Sequence, residues 1–293
     1  MPVKVIINPI AGQGRAVRVW SEIEPLLKDR SVDHEAVFTT APRHAVDLAA
    51  GCADRGFDTV AVIAGDGTIH EAVNGLVDTG AKLCVIPGGR GNDLARTMGI
   101  PREPRAAAAL LWAGRTSRID LGRANGEYFF NVAGVGFDAE VAAAVNRGRV
   151  FVNGMVTYLV YVLKMLASYQ PVEAYLTLDG RAWSQKVFMA AVGNGQYLGG
   201  GMKLAPSADP QDGLFDVVVA GDLTRPEAIQ ALARVYSGSH VHLPKVQTYR
   251  GRSLTIDAGH PLNVEADGEV IGRVPVTFEV APAALSLLVP VGS

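Results

Sequence analysis

The segment VIAGDGTIHEAVNGL, residues 62–76, carries the strongest fold signal in the chain. An apolar run leads into a glycine-rich turn, and a helical pattern follows at once, which predicts a buried strand joined tightly to a helix. Thr68 and Glu71 match the helix-opening pattern Ser/Thr-x-x-Glu, in which both side chains bind the first backbone N–H groups of a helix. That pattern leaves Asp66 unexplained, because a turn between two glycines needs no charge.

The same alternation extends in both directions along the first part of the chain. Apolar runs at 3–9, 34–40, 58–65 and 81–87 predict buried strands, and helical patterns follow each of them. Strands separated by helices of this length predict right-handed crossovers. The sequence therefore predicts a parallel sheet with helices on both faces.

From about residue 123 the pattern changes to short β-like runs separated by Gly, Asp and Pro turns. Such runs are typical of an antiparallel sandwich or barrel. Helical patterns interrupt them at about 138–168 and 225–238. We therefore expect an α/β domain over residues 1–122 and a β-rich domain over 123–280. The apolar run within 281–293 could return to the first domain.

Composition excludes several classes of protein. The formal net charge of the 293-residue chain is -2, so no bulk attraction to nucleic acid is expected. Cys52 and Cys84 form no CxxC motif, which favours reduced core thiols in a cytoplasmic protein. The most hydrophobic stretch, 151–169, contains Asn153 and Lys164 and is too interrupted for a transmembrane helix.

Three glycine-rich or polar loops follow predicted parallel strands: NPIAGQG at 8–14, AGDGT at 64–68 and PGGRGND at 87–93. Ligands of parallel α/β sheets bind beyond the carboxyl ends of the strands, and glycines allow backbone N–H groups to approach a phosphate closely. The three loops therefore predict a nucleotide site. The chain lacks both G-x-x-x-x-G-K-[ST] and G-x-G-x-x-G.

A carboxylate without a partner beside a phosphate would repel it. Mg²⁺ binds one or two carboxylates together with phosphate oxygens. A magnesium ion bound with the nucleotide would therefore explain Asp66.

Five segments, in order, resemble the signatures of the diacylglycerol kinase catalytic family, which includes soluble bacterial diacylglycerol kinases and is related to sphingosine and ceramide kinases. They are NPIAGQGRA, AGDGTIHEAVNGL, PGGRGNDLART, GNGQYLGGGMKLAPSADPQDGLFDVVV and EADGE. The resemblance covers nearly the whole chain. It implies a phosphofructokinase-like α/β domain, a β-rich lipid-binding domain and an ATP site in the cleft between them.

The resemblance also implies roles for particular residues. Gly65, Asp66, Gly67 and Thr68 correspond to the ATP-binding motif GGDGT, with Ala64 in place of its first glycine. Arg90 replaces a common Thr, and Gln13 a common Lys, so that Arg15 could supply the missing charge. The expected nucleotide contacts are Asn8, Gly12, Arg15, Gly65, Asp66, Gly67, Thr68, Gly89, Arg90, Asn92 and Asp93.

Acids elsewhere carry the expected catalysis and metal binding. By resemblance, Asp267 is the general base, accompanied by Glu269; from the residues alone, the same ADGE segment predicts a plain hairpin turn. Asp93 and Asp120 resemble acids of a Mg²⁺–water network. Asp212 and the Leu214 carbonyl resemble a structural Mg²⁺ site, for which a plain turn is the alternative.

The implied function is ATP-dependent phosphorylation of a membrane lipid alcohol, with diacylglycerol as the default acceptor. A soluble-metabolite kinase of the NAD kinase or phosphofructokinase type, or a nucleotide-binding regulator without catalysis, are the alternatives. Val156, Leu159, Val160 and Leu163, with Leu166 or Ala167, have helical spacing and could line an acyl-chain slot, contact a membrane or pack in the core. Peripheral membrane contact without a transmembrane span, and a homodimer, are the expected associations.

Overall fold

The computed structural model describes residues 2–147 and 155–291, and for residues 146, 147 and 155–161 it describes the backbone alone. The chain divides into two compact units, Met1–Leu121 with Ala281–Ser293, and Gly122–Val280.

Unit 1 is an alternation of strands and helices. Its parallel strands lie in the order β2-β1-β3-β4, and β1 and β3 are buried along their whole length, as expected for a sheet covered on both faces. The elements are β1 (Val3–Ile7), α1 (Arg15–Asp29), β2 (His34–Phe38), α2 (His44–Ala50), β3 (Thr59–Ala64), α3 (Asp66–Leu76), β4 (Lys82–Pro87), α4 (Asp93–Thr97), α5 (Pro104–Ala108), α6 (Leu110–Ala113) and β5 (Arg115–Ala124).

Unit 2 is built from antiparallel sheets and helices. Its elements are β6 (Glu127–Phe129), β7 (Val132–Gly136), α7 (Phe137–Arg147), α8 (Met155–Ser168), β8 (Val172–Leu178), β9 (Arg181–Val187), β10 (Met189–Gly193), β11 (Phe215–Ala220), α9 (Arg225–Val235), a 3-10 turn (Ser239–His242), β12 (Val246–Gly251), β13 (Ser253–Ala258), β14 (Asn263–Ala266), β15 (Glu269–Arg273) and β16 (Val276–Val289).

Two layers of strands form the core of unit 2. One has the order β16-β13-β8-β9, and the other has the order β12-β11-β10-β7-β14-β15. Side chains from both, among them Leu254, Phe278, Val135 and Val217, form one buried cluster. A second cluster covers the outer face of the six-stranded layer, where Val141 of α7 and Leu166 of α8 pack. The β-rich domain is thus a sandwich, and the predicted fold class is confirmed.

The end of β16 belongs to unit 1. Ser286 and Leu287 pair in parallel with Lys82 and Leu83 of β4. The segment 281–293 therefore adds a strand at the open edge of the parallel sheet.

The predicted capping box at Thr68 and Glu71 is wrong. Helix α3 begins two residues earlier, at Asp66, with Gly65 as its N-cap. The Thr68 hydroxyl instead accepts a hydrogen bond from the Asn8 amide (2.8 Å). The Glu71 carboxylate accepts from the backbone N–H groups of Arg43 (2.9 Å) and Ala45 (3.2 Å), at the start of α2. Glu71 therefore caps the neighbouring helix rather than its own.

The apolar stripe predicted on 151–169 differs in part from the buried face of α8. Val162 and Leu166 are buried, whereas Leu163 is 44% exposed. The predicted side chains of Val156, Leu159 and Val160 lie outside the described residues. Within 2–147 and 155–291, no helix combines the length and hydrophobicity needed to span a bilayer.

Candidate active site

Three loops of unit 1 meet at the carboxyl ends of neighbouring strands. Strand β3 lies between β1 and β4, so the loops that follow these strands are adjacent. Asn8, directly after β1, donates its side-chain N–H to Thr68 in the loop after β3. Its side-chain oxygen accepts the backbone N–H of Ile10 (3.1 Å), which shapes its own loop.

The Asp66 carboxylate bridges two of these loops. Its oxygens accept the backbone N–H groups of Asn92 and Asp93, each at 2.7 Å. Those N–H groups open helix α4 and have no partner within the helix. A carboxylate is therefore placed here because it satisfies two N–H groups of the next loop, and the sequence interpretation that Asp66 lacked a protein partner is corrected.

Glycines make this edge of unit 1 a surface of backbone rather than of side chains. Gly12 has φ of 58°, and a Cβ there would collide with the Gly88 carbonyl oxygen. A Cβ on Gly89 would collide with the Cα of Gly65. Asn92, also at positive φ, exchanges hydrogen bonds between its side-chain amide and the backbone of Gly89 (3.1 and 3.2 Å). These close approaches fix the positions of the loop backbones relative to one another.

Two arginines stand at the same edge. Arg15 is the first residue of α1 and is exposed, and Arg90 is exposed in the loop after β4. A guanidinium binds phosphate oxygens through two parallel N–H donors. Both side chains are suited to bind the anionic tail of a nucleotide, and their contacts with it stay a prediction.

The acids predicted near a magnesium–water network have protein partners. Asp93 is 3% exposed and forms an ion pair with Arg96. Asp120 is 5% exposed and accepts the N–H of Ala283, on the returning strand β16, at 2.6 Å. Across the described ranges, no group of three His, Cys, Asp or Glu side chains is arranged to hold a metal ion. A magnesium ion at this edge would therefore take most of its ligands from phosphate and water, as Mg²⁺ commonly does.

The predicted structural metal site in unit 2 already holds a cationic group. One Asp212 oxygen accepts the N–H of Leu214 (3.0 Å), and the other is paired with the Arg250 guanidinium. Arg250 also binds Asp216, its cross-strand partner on β11, at 3.3 Å. The guanidinium provides the positive charge that a metal ion would supply, so the residues do not fit a metal site in this arrangement.

Asp267 occupies the turn between β14 and β15, as the Asp-Gly pair predicted. It is 8% exposed and has φ of 50°. Its two carboxylate oxygens accept the backbone N–H groups of Phe130 and Asn131, each at 3.0 Å, and its own N–H donates to Val132 (2.9 Å). Glu269, the first residue of β15, is exposed. Asp267 is thus held rigidly in unit 2, with its orientation fixed by the chain just before β7.

Two acids of unit 2 that sequence reasoning missed are Asp138 and Glu265. Glu265 is 0% exposed, and burial, followed by the charge of Asp138, raises its pKa well above the usual value. Burial raises the pKa of Asp138 to about 7. For Glu265, the available signal was the position of a charged residue within the short predicted strand that precedes Asp267.

Comparison with known proteins identifies the family. Residues 2–124 match the model described as the diacylglycerol kinase catalytic domain, and residues 131–289 match the YegS C-terminal NAD kinase beta sandwich-like domain. The chain belongs to the diacylglycerol kinase family. The predicted resemblance is therefore confirmed, and the family is one of phosphotransferases that act on lipids.

Individual relatives agree over almost the whole chain. A diacylglycerol kinase of Mycobacterium tuberculosis (strain CDC 1551 / Oshkosh) is 35% identical over 98% of this chain and 95% of its own. One from Bacillus subtilis (strain 168) is 30% identical over 94% and 92%. A crystal structure of a Bacillus anthracis str. Sterne protein, named provisionally as a diacylglycerol kinase, superposes with a TM-score of 0.81 at 25% identity, over 98% of this chain and 96% of that one. Membership of a kinase family implies ATP as the phosphoryl donor.

Proposed function

We propose that this protein transfers the γ-phosphoryl group of Mg·ATP to the hydroxyl of a membrane lipid alcohol, with diacylglycerol as the acceptor and phosphatidic acid as the product. The bond between the γ-phosphorus and the β–γ bridging oxygen breaks, and a bond to the lipid oxygen forms. The hydroxyl proton leaves to a carboxylate, and ADP departs. The family match over both units is the observation that carries the proposal.

The nucleotide is assigned to the loop edge of unit 1. Phosphoryl transfer depends chiefly on positioning and on electrostatic stabilisation of the phosphate oxygens. The glycine loops supply a rigid backbone surface, held by Asp66 and Asn92, and Arg15 and Arg90 supply positive charge at its rim. When bound, Mg²⁺ would neutralise charge on the phosphate oxygens. Asp66 and Asp93 are the carboxylates proposed to interact with such an ion or its water shell.

The general base is assigned to Asp267. A base must be ionised, held in one orientation and able to accept one more hydrogen bond. The two Asp267 oxygens accept backbone N–H groups, and a carboxylate oxygen can accept more than one hydrogen bond. Glu269 lies two residues further along the same hairpin and is proposed to assist it.

A lipid acceptor, reached by peripheral contact with a membrane, follows from the names of the relatives and not from a contact in unit 2. The soluble-metabolite alternative shares the nucleotide loops, and the second domain model is itself described as NAD kinase-like. A homodimer stays a prediction.

The acceptor is tested by following labelled phosphate from ATP. Vesicles that contain diacylglycerol, phosphatidylglycerol or a sphingoid base are compared, with NAD and fructose 6-phosphate as soluble acceptors. Phosphatidic acid is the expected main product. Faster labelling of NAD or fructose 6-phosphate than of every lipid would reject the lipid assignment.

The role of Asp267 is tested by Asp267→Asn, with Asp257→Asn on the exposed face of β13 as the matched control. We expect Asp267→Asn to lower kcat by at least about a hundredfold, which is within the usual contribution of a general base. Calorimetric binding of Mg·ATP should change little, because the nucleotide is assigned to unit 1. Equal turnover in the two variants would remove Asp267 from the mechanism.

A further inference from the structure

A small polar cluster lies within an otherwise apolar layer of unit 2, between the six-stranded layer and helices α7 and α8. Its members are Asp138 in the first turn of α7, Tyr169 just after α8, and Glu265 in β14. Phe137 and Phe188 contact the Tyr169 ring edge to face, so the cluster is bordered by apolar rings. Ionised groups in such surroundings are costly unless they are paired.

Strand register brings the two carboxyl groups together. Glu265 lies directly opposite Gly134 on the neighbouring strand β7, and directly opposed residues project from the same face of a sheet. A Cβ on Gly134 would collide with Oδ2 of Asp138, so the Asp138 carboxyl lies over this glycine. Gly134 contributes no side chain to that face, and the Asp138 carboxyl over it lies close enough to Glu265 for its charge to raise the pKa of Glu265.

The same face holds a third unpartnered group. A Cβ on Gly136, two residues along β7, would lie 3.2 Å from the Tyr169 hydroxyl. Among the described residues, both oxygens of Asp138, Oε1 of Glu265 and the Tyr169 hydroxyl are buried without a hydrogen-bond partner. Charged groups that also act on the cluster are acids: Glu140 of α7, and Asp267 and Glu269 of the hairpin. Two adjacent carboxylates surrounded by further acids cannot both stay ionised at neutral pH.

Glu265 also holds the hairpin turn that carries Asp267. Its second oxygen, Oε2, accepts the backbone N–H of Gly268 at 2.7 Å. Gly268 follows Asp267 directly and has φ of 91°. The Glu265 carboxyl therefore lies on the same face as that of Asp138, and its Oε2 fixes the backbone next to the proposed base.

We propose that Glu265 and Asp138 share one proton, and that this carboxyl pair positions the turn at 266–268 so that the Asp267 carboxylate keeps its orientation. Glu265 is then a positioning residue, and its catalytic part rests on the function proposed above. The shared proton bonds the two buried carboxyl groups to each other. Loss of that proton places a second negative charge in an apolar layer and weakens the anchor on Gly268.

The sign of the pH dependence follows from the raised pKa values. Burial raises the pKa of both carboxyl groups in the folded state, that of Asp138 to about 7, whereas in the unfolded chain both titrate near 4. Between these limits the folded state binds more protons, so its stability is greatest at the acidic end and falls as the pH rises. Wild-type protein should therefore melt at progressively lower temperature from about pH 5 to about pH 8.

The shared proton is tested by melting curves across that range, without any assay of activity. Glu265→Gln and Asp138→Asn each replace one carboxyl with an amide, which can donate a hydrogen bond to the remaining carboxylate at every pH. Glu173→Gln, at an exposed position of β8, is the matched control. We expect the melting temperature of the control to fall with pH like that of the wild type, and those of both cluster variants to change by less than about half as much. Parallel curves for all four proteins would overturn the shared proton. Should Asp138→Asn fail to fold, Glu265→Gln alone decides.

The positioning role is tested by kinetics on lipid vesicles. Glu265→Gln keeps an oxygen that can accept the Gly268 N–H and should retain kcat within about threefold, since a side-chain amide oxygen is a good acceptor. Glu265→Ala removes the anchor and should lower kcat at least about tenfold, because small misplacements of a catalytic group are costly. The KM for Mg·ATP should change little in both. Wild-type kcat in Glu265→Ala, or an equal loss in both variants, would overturn the role. A wild-type enzyme that phosphorylates no lipid would reject the proposed function, and the melting curves would still decide the shared proton.

Discussion

Single aspartates in this protein bind pairs of successive backbone N–H groups. Asp66 binds those of Asn92 and Asp93, Asp267 binds those of Phe130 and Asn131, and Asp179 binds those of Arg252 and Ser253. No chemistry is proposed for Asp179. A pair of such bonds is a structural connection between two segments, and ligand binding and turnover of variants test the further roles proposed for Asp66 and Asp267.

Asp66→Asn tests how much the connection contributes. An amide offers only one acceptor atom, and its NH₂ group would face a backbone N–H, so one of the two N–H groups at Asn92 and Asp93 would lose its bond. Hydrogen bonds to a charged group contribute about 1.5–3 kcal/mol each, and we expect a loss of about 2 kcal/mol in the free energy of unfolding. Denaturant titration measures this loss, with the exposed Asp54→Asn as control.

The affinity for Mg·ATP should also fall in Asp66→Asn, because the loop after β4 loses its tie to the loop after β3. Calorimetry at a temperature where both variants are folded separates this effect from stability. Stability and affinity equal to those of Asp54→Asn would show that the connection contributes nothing measurable.

The residue types at this site could be predicted from the sequence, but their partners could not. The glycine loops and the acid between Gly65 and Gly67 are visible in the letters alone. That Asp66 binds N–H groups 26 and 27 positions away depends on the pairing of β3 with β4, which no local pattern specifies. The same holds for Glu265, whose neighbour Asp138 is brought near by the register of β7 with β14.

At the scale of elements, ion pairs of Arg250 on β12 with Asp216 on β11 and with Asp212 join the two strands, where the family resemblance implied a magnesium ion. Asp216 is 7% exposed, and burial raises its pKa, while the Arg250 guanidinium opposite acts in the other direction. Arg250 also neutralises Asp212. The family resemblance implied a metal at the segment PQDGLFD, whose letters do not show the guanidinium that a later strand supplies.

Arg250→Gln removes that cation. Because the guanidinium is half exposed, the expected loss is modest, about 1–2 kcal/mol in the free energy of unfolding. Arg252→Gln, also exposed, is the control.

For wild-type protein without nucleotide, the melting temperature should be the same in EDTA and in magnesium buffer, since an ion that binds the folded state would raise it. A rise with magnesium would instead show that a metal ion does bind, with Asp212 as its predicted ligand.

At the scale of the whole molecule, the fold class follows from periodicity. Continuous apolar runs separated by helical patterns specify a parallel sheet, and short runs separated by Gly and Asp turns specify a sandwich. The return of the chain at Ala281 could only be raised as one option, because ALSLLVP is an apolar run that would fit an edge of any sheet. Without the returning segment, the apolar strand β4 would form an unpaired edge of the sheet. Native proteins cover or pair such edges, and the end of β16 pairs with this one.

Leu287→Ala tests the contribution of this last strand to unit 1. Leu287 is 0% exposed and lies opposite Leu83 of β4, four residues before the carboxyl end of that strand. Removal of a buried leucine side chain costs about 2–5 kcal/mol. The control is Val17→Ala on α1, where the side chain is 39% exposed and a change within about 0.5 kcal/mol is expected. Since β4 leads directly into the loop at 88–92, partial loss of the strand should also weaken Mg·ATP binding, which calorimetry below the melting temperature would measure. If Leu287→Ala unfolds at the same denaturant concentration as Val17→Ala, residues 281–293 do not stabilise the nucleotide-binding unit.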